Sequence, residues 1–208
     1  VQHKLSRYYH TPSSQIQVLT PMQKGIVGAT NLNLALQEAL NPQGDGLRRS
    51  GFIFRRDDKV MQIRNNYQIE WEVLGHYNLP LDKGVGVFNG DMGVVREINH
   101  FAEQLVVEFD EGRRVTYGFA QLDELELAYA ITIHKSQGSE YPAVIMPLLS
   151  GPRMLFNRNI LYTAVTRAKQ CVAIVGDEHT VRHMIENEKQ QKRYTSLNLR
   201  LREMNTLS

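Results

Sequence analysis

Cysteine is almost absent from this chain, which contains one thiol in 208 residues. Cys171 has no partner for a disulfide within the chain, so a fold stapled by disulfides is excluded. Its place in the apolar run 171–175 predicts a small buried residue in a strand. Because a chain without an internal disulfide fits a reducing compartment, we expect a cytoplasmic protein.

Long apolar runs and a large excess of one charge are also missing. No apolar run approaches the roughly 20 residues that span a bilayer, so we expect no membrane partner. Lysine and arginine number 24 against 22 acidic residues, which leaves a formal net charge of +2. Overall charge therefore does not identify a nucleic-acid binder, and any such site has to be local.

The chain also lacks a phosphate-binding loop of the form Gly-x-x-x-x-Gly-Lys-Ser/Thr. The segment 25–28 has glycines too close together, and it continues as Ala29-Thr30. Two acidic pairs, at 123–124 and 177–178, imitate a magnesium site, but a solvated turn and a helix start explain them better. The chain by itself is therefore expected neither to bind ATP tightly nor to hydrolyse it. Residue 1 is valine instead of methionine, which indicates a fragment.

The ends of the chain show an α/β pattern. A short apolar run at 16–20 predicts a strand, and Leu32, Leu36 and Leu40 then lie on one face of a predicted helix. A Gly-rich loop is expected at 42–51. Strands and helices alternate again in the second half of the chain, which indicates a parallel sheet.

The middle of the chain has a different pattern. Five short β-type runs follow one another without a helix, and turn signals such as Asn89-Gly90-Asp91 separate them. This predicts a small SH3-like barrel. The predicted division is an α/β domain at 1–57 (with an N-terminal linker) and 126–188, a barrel insertion at 58–125, and a tail at 189–208.

Two segments carry residues suited to ligand binding. The first is Thr132-Ile133-His134-Lys135-Ser136-Gln137-Gly138-Ser139-Glu140. It follows a predicted strand, so we expect it at the carboxyl edge of the sheet, where free N–H groups suit phosphate oxygens. The second is Leu161-Tyr162-Thr163-Ala164-Val165-Thr166-Arg167-Ala168-Lys169, in which Arg167 is placed to point out of the sheet edge. Taken singly, these are an ordinary turn and an arginine at a helix end.

Together the two segments resemble motifs V and VI of superfamily 1 DNA helicases, and their sequences are similar to those of the RecD-type branch in particular. The segment Val18-Leu19-Thr20-Pro21-Met22-Gln23-Lys24-Gly25 is similar to motif IV of that family. Asn65-Asn66-Tyr67 and Phe88-Asn89-Gly90-Asp91-Met92-Gly93 are similar to the segments that introduce its SH3-like insertion. The resemblance implies an α/β fold, with a RecA-like parallel sheet flanked by helices and interrupted by a small SH3-like β-barrel.

The resemblance also implies roles for individual residues. Arg167 matches the arginine that reaches across the domain cleft to the γ-phosphate of ATP. The other residues implied on the nucleotide side are Gly138, Glu140, Gln137, Lys24 and Gln23. The family often has arginine where Lys24 stands, so Gln23 is an equal candidate for that position.

On the DNA side, the resemblance implies contacts that hold a strand by its backbone without reading its sequence. The residues implied are Thr132, His134, Ser139, Asn66 and Tyr67. Tyr67, Trp71 and Tyr77 could stack on bases, although packing of the barrel against its neighbour is an alternative explanation, above all for Trp71. No metal site is expected, since His179 and His183 lie four residues apart on a predicted helix without a third ligand.

We therefore expect the C-terminal portion of an ATP-dependent DNA helicase. Its partners would be single-stranded DNA and a separate first RecA-like domain, with nuclease or helicase subunits as further candidates. The cofactors of the intact enzyme would be ATP and Mg²⁺. The resemblance implies 5′-to-3′ movement, which no residue shows. Two alternatives are a non-enzymatic nucleic-acid-binding module and the helicase part of a conjugative relaxase.

Overall fold

The computed structural model describes residues 12, 15–43, 46–49, 51–149, 151–152 and 154–188. The predicted tail at 189–208 and most of the predicted N-terminal linker lie outside these residues. Within the described residues, no helix is both long enough and apolar enough to cross a membrane.

A four-stranded parallel sheet forms the α/β part, in the spatial order β11-β1-β12-β13. Its strands are β1 (Ile16–Thr20), β11 (Ala130–Thr132), β12 (Tyr141–Leu148) and β13 (Ala168–Gly176). The accompanying helices are α1 (Ala29–Leu40), α2 (Arg158–Val165) and α3 (Glu178–Glu186). The predicted α/β class with a parallel sheet is therefore confirmed.

One face of β12 carries the core of this part. Val144, Met146 and Leu148 alternate along the strand and pack with residues of α2 and α3 such as Leu161 and Met184. Asp177 is a helix start, as predicted, because its side chain accepts a hydrogen bond from the first turn of α3. Since β13 is an edge strand, Cys171 is only half-buried, and the prediction of a buried thiol was wrong.

A seven-stranded antiparallel sheet forms the middle of the chain, in the order β10-β4-β7-β8-β9-β5-β6. Its strands are β4 (Lys59–Gln62), β5 (Asn66–Leu74), β6 (Pro80–Val87), β7 (Met92–Asn99), β8 (Gln104–Phe109), β9 (Arg113–Gly118) and β10 (Leu125–Leu127). Its core includes Val60, Val87, Val95, Leu105 and Tyr117. Sequence reasoning missed β5, although Ile69, Trp71 and Val73 alternate with two glutamates in the period-two pattern of a strand.

The predicted loop at 42–51 was partly wrong. Strands β2 (Leu47–Arg49) and β3 (Phe52–Phe54) form a hairpin there. Phe54 is fully buried in the core of the antiparallel sheet. Within the predicted loop, β2 has no strand signal of its own, and it pairs with the apolar strand β3, which follows the loop.

Helix α1 buries a polar face instead of the leucine face that the sequence predicted. Asn33 and Gln37 are buried, whereas Leu32, Leu36 and Leu40 are only half-buried. The Asn33 amide donates to the carbonyls of Leu127 (2.8 Å) and Ala130 (2.9 Å). Gln37 Nε2 donates to the carbonyl of Ile53 at 2.6 Å. The helix therefore binds both chain segments that connect the two sheets.

Asp58 is the centre of this polar junction and is fully buried. Its Oδ1 accepts from Asn41 Nδ2 (2.7 Å) and the Tyr129 hydroxyl (2.9 Å). Its Oδ2 accepts from Gln37 Nε2 (2.6 Å) and the backbone N–H of Arg55 (2.7 Å). Burial raises the pKa of Asp58, and these hydrogen bonds oppose that rise. We call Asp58 and its four donors the Asp58 cluster.

Lys59 makes a second polar connection between the sheets. Its environment predicts an unusual dependence of stability on pH. Its Nζ donates to Gln17 Oε1 at 2.7 Å, and burial lowers the pKa of Lys59 to about 8 against the opposing charge of Asp110. Between pH 8 and the ordinary lysine pKa, the unfolded chain binds more protons than the folded chain. Stability contributed by this group therefore rises with pH through that window.

We expect the unfolding free energy of the wild type, minus that of Lys59→Met, to increase by on the order of 2 kcal/mol from pH 7 to pH 10. Urea unfolding at a series of pH values measures this difference. Lys83→Met is the control, because Lys83 is exposed. The difference in unfolding free energy between the wild type and this variant should not change with pH. If the difference between the wild type and Lys59→Met also stayed constant from pH 7 to pH 10, the prediction would be contradicted.

Candidate functional site

The segment 132–140 runs from the carboxyl ends of the parallel strands to their amino ends. We call these two ends of the sheet the carboxyl edge and the amino edge. Thr132 ends β11 opposite Thr20, the last residue of β1, so both lie at the carboxyl edge. Tyr141 opens β12 two residues before Ala143, which pairs with Ile16 at the start of β1. The prediction that the whole segment lies at the carboxyl edge was wrong. Because β11 and β12 are parallel, the chain has to return to the amino edge between them.

Part of the predicted site lies at the carboxyl edge. Thr132 is half-buried, and its hydroxyl accepts from the backbone N–H of Lys135 at 3.3 Å. His134 is exposed beside it. Gln23 and Lys24 are exposed on the loop that follows β1, and Gln23 Nε2 donates to the Thr30 hydroxyl at 3.2 Å. The structure thus places Gln23 and Lys24 with the predicted DNA-binding residues.

Another part of the predicted site lies at the amino edge, around Arg167. Its Nη1 donates to the Ser139 carbonyl at 3.1 Å, and its Nε donates to the Thr163 carbonyl at 3.3 Å. Its Nη2 is 3.4 Å from the Thr166 hydroxyl. The Arg167 carbonyl in turn accepts from Tyr141 N–H at 2.8 Å. These hydrogen bonds fix the half-buried arginine against the end of α2 and the start of β12.

The charge of Arg167 is not neutralised by these contacts. All three acceptors of its guanidinium are neutral oxygens, and no ion pair among the described residues includes it. Glu140 lies nearby at the same edge, but it is exposed and pairs with Lys169 at 3.3 Å. A cation fixed in position without a counter-ion is suited to an anionic ligand.

The remaining residues of the segment 132–140 have separate environments. Gln137 and Gly138 are exposed, and Gly138 has φ +89°, a left-handed conformation that favours glycine. Ser139 belongs to the Arg167 group through its carbonyl, away from Thr132 and His134. Ser136 is buried, and its hydroxyl donates to the Ile133 carbonyl at 2.7 Å.

The predicted residues of the insertion differ in their availability. Asn66 Nδ2 donates to both carboxylate oxygens of Glu124, and its Oδ1 accepts from Gln68 and Ile69 N–H. Its side chain is therefore occupied in shaping the start of β5. Tyr67 is 66% exposed and available. Trp71 is half-buried and packs against the core of the antiparallel sheet.

Sequence reasoning did not select Phe88 as a site residue. It follows β6, is 43% exposed, and lies 5.6 Å from the Tyr67 ring centroid to centroid. The available signal was an aromatic residue directly before the turn Asn89-Gly90. Among the described residues, no group of three or more His, Cys, Asp or Glu side chains could hold a metal ion.

Comparison with known proteins identifies the family. A family model of the SH3 domain of ATP-dependent RecD-like DNA helicases matches residues 32–109. A model of the UvrD-like helicase C-terminal domain matches residues 127–175, which include Thr132 and Arg167. The ATP-dependent RecD2 DNA helicase of Deinococcus radiodurans is 37% identical over 154 residues, or 74% of this chain. The chain belongs to the RecD-type superfamily 1 helicases.

Another relative among the RecD-type helicases matches a shorter part of the chain. The RecBCD enzyme subunit RecD of Mycolicibacterium smegmatis is 40% identical over 121 residues, which is 58% of this chain. The chain covers 19% of the Deinococcus protein and 21% of the Mycolicibacterium protein. It thus spans about a fifth of the length of these curated relatives.

A solved structure shows the same fold. The crystal structure of Pif1 helicase from Bacteroides in complex with ADP-AlF3 and ssDNA superposes with a TM-score of 0.50. The match covers 92% of this chain and 46% of that chain, at 17% sequence identity. At this identity the likeness supports the fold of the RecD-type chain and nothing further about its ligands.

Proposed function

We propose that this chain is the part of an ATP-dependent DNA helicase that binds single-stranded DNA at one edge of its parallel sheet and supplies an arginine to ATP at the other edge. The chain lacks a phosphate-binding loop. ATP and Mg²⁺ would therefore be held mainly by a separate Walker-bearing domain, and this chain alone would not hydrolyse ATP. The proposed division is 1–57 and 126–188 for the RecA-like part, 58–125 for the insertion and 189–208 for the tail.

The observation that carries the proposal is the position of Arg167. Hydrogen bonds to Ser139 and Thr163 hold its guanidinium in place, and no carboxylate in the described residues neutralises it. A preorganised cation stabilises the charge that develops on a phosphoryl group during transfer, and it needs little rearrangement to do so. Glu140 and Gly138 at or near this edge are proposed to face the rest of the nucleotide.

The carboxyl edge is proposed to hold DNA. Thr132 and His134 offer a hydroxyl and an imidazole, and Lys24 adds a positive charge on the neighbouring loop. Such groups bind the phosphate backbone of a strand without reading its bases. Because ATP and DNA would bind at opposite edges of one sheet, closing of the Walker-bearing domain could alter both contacts together. Movement 5′-to-3′, and assembly with nuclease or helicase subunits, are parts of this proposal.

The proposal is tested by mixing this chain with a separately produced Walker-bearing domain of a RecD2-type helicase. We expect ATP hydrolysis that requires both pieces and increases when single-stranded DNA is added. Each piece alone serves as the control. If the chain bound DNA but never restored hydrolysis, the non-enzymatic binding module would be the better description.

A further inference from the structure

Two exposed aromatic rings meet at one end of the antiparallel sheet. Tyr67 lies near the start of β5, and Phe88 follows the end of β6. Their centroids are 5.6 Å apart and their planes are inclined at 70°. Both rings lie outside the core and remain exposed, Tyr67 at 66% and Phe88 at 43%. An edge-to-face pair of this kind leaves ring surface available to a flat ligand.

The backbone beneath both rings is fixed by side-chain hydrogen bonds. Asn65 Nδ2 donates to the Tyr67 hydroxyl at 3.2 Å, and Asn65 Oδ1 accepts from Asn89 N–H at 2.9 Å. Asp91 Oδ2 accepts from Phe88 N–H at 3.1 Å. One asparagine therefore ties the two aromatic segments together. A ligand that stacks here would order few additional groups, which lowers the entropic cost of binding.

This end of the sheet is continuous with the carboxyl edge of the parallel sheet. Lys135, which follows Thr132 and His134, pairs with Glu126 of β10 at 2.8 Å. Two residues earlier in the chain, Glu124 accepts from Gln62 and from Asn66, the neighbour of Tyr67. A series of contacts therefore connects the carboxyl edge, where we propose that DNA binds, with Tyr67 and Phe88.

We propose that Tyr67 and Phe88 form a stacking platform for a nucleobase of the single-stranded DNA bound at the carboxyl edge. The proposal rests on the proposed function and names the ligand group that this surface takes. Every base has a flat π-face, so aromatic stacking suits a helicase that moves along any sequence. Arg64 is 62% exposed beside the platform, where its ion pair with Asp123 leaves it accessible to the adjoining phosphate.

The test compares two fluorescent oligonucleotides of about 15 nucleotides, one of thymidines and one of abasic sites, by anisotropy with the full chain. We expect Phe88→Ala and Tyr67→Ala to weaken binding of the thymidine strand about tenfold and to leave the abasic strand within about twofold. Phe88→Trp should keep the wild-type preference for bases. Phe101→Ala is the matched control, since Phe101 is fully exposed on the turn between β7 and β8.

Phe88→Leu separates stacking from folding, because it keeps an apolar side chain but lacks a flat face. It should behave like Phe88→Ala while unfolding in urea at the wild-type midpoint. An equal loss on both oligonucleotides, or no loss on either, would overturn the platform. If the wild type bound neither strand, the proposed function itself would fail, so the two failures are distinguishable.

Discussion

Replacing Arg167 by alanine is expected to lower DNA-stimulated ATP hydrolysis by about 1,000-fold in the assembly with a Walker-bearing domain. The guanidinium is already held by the carbonyls of Ser139 and Thr163, and its charge has no acidic partner in the described residues. The loss should appear mainly in kcat, because the interaction strengthens as charge develops on the phosphoryl group. Steady-state hydrolysis at saturating ATP and DNA measures it.

Arg167→Lys is expected to lose most of the same activity. An ammonium cannot bond Ser139, Thr163 and a phosphate with the planar geometry of a guanidinium. The control is Arg182→Ala, which removes an equal charge from an exposed position on α3 and should leave hydrolysis unchanged.

Binding of single-stranded DNA provides a second readout for Arg167→Ala. It should be unaffected, because Arg167 lies at the amino edge and the proposed DNA contacts lie at the carboxyl edge. Hydrolysis within about threefold of wild type would contradict the role proposed for Arg167, since removal of an arginine finger costs far more.

Asp58→Asn is expected to lower the free energy of unfolding by about 3 kcal/mol. The carboxylate accepts from four donors: Gln37 Nε2, Asn41 Nδ2, Arg55 N–H and the Tyr129 hydroxyl. An amide has nearly the same shape, but its NH₂ would face two of these donors in a fully buried site. Two hydrogen bonds would be replaced by repulsion at the junction between the two sheets. Urea unfolding at neutral pH measures the loss.

Asp57→Asn is the matched control for this substitution. Asp57 is the preceding residue, its side chain is 63% exposed, and its ion pair with Arg96 spans 3.6 Å. Asparagine also tolerates its positive φ of 67°. We expect a change within about 0.5 kcal/mol, as for exposed ion pairs. A loss for Asp58→Asn as small as the one expected for Asp57→Asn would show that the Asp58 cluster contributes little.

Local patterns in the sequence were enough to predict the fold class, the β-rich insertion and the family. The runs at 16–20 and 171–175 and the turn Asn89-Gly90-Asp91 act over a few residues, so their signals can be seen without tertiary contacts. The two segments around Thr132 and Arg167 contain the matched strings of the family, and the matching family models confirm it.

Only the tertiary structure decided how these residues are distributed. The strands of the four-stranded sheet are parallel, and Thr132 ends β11 whereas Arg167 directly precedes β13, so the two residues lie at opposite edges. Burial of Asn33 and Gln37 on α1 depends on carbonyls about 16 to 97 residues away in sequence. The pairing of Tyr67 with Phe88 likewise requires β5 and β6 to be adjacent. These features depend on which distant segments meet, and that is a property of the packed sheets that short sequence patterns do not contain.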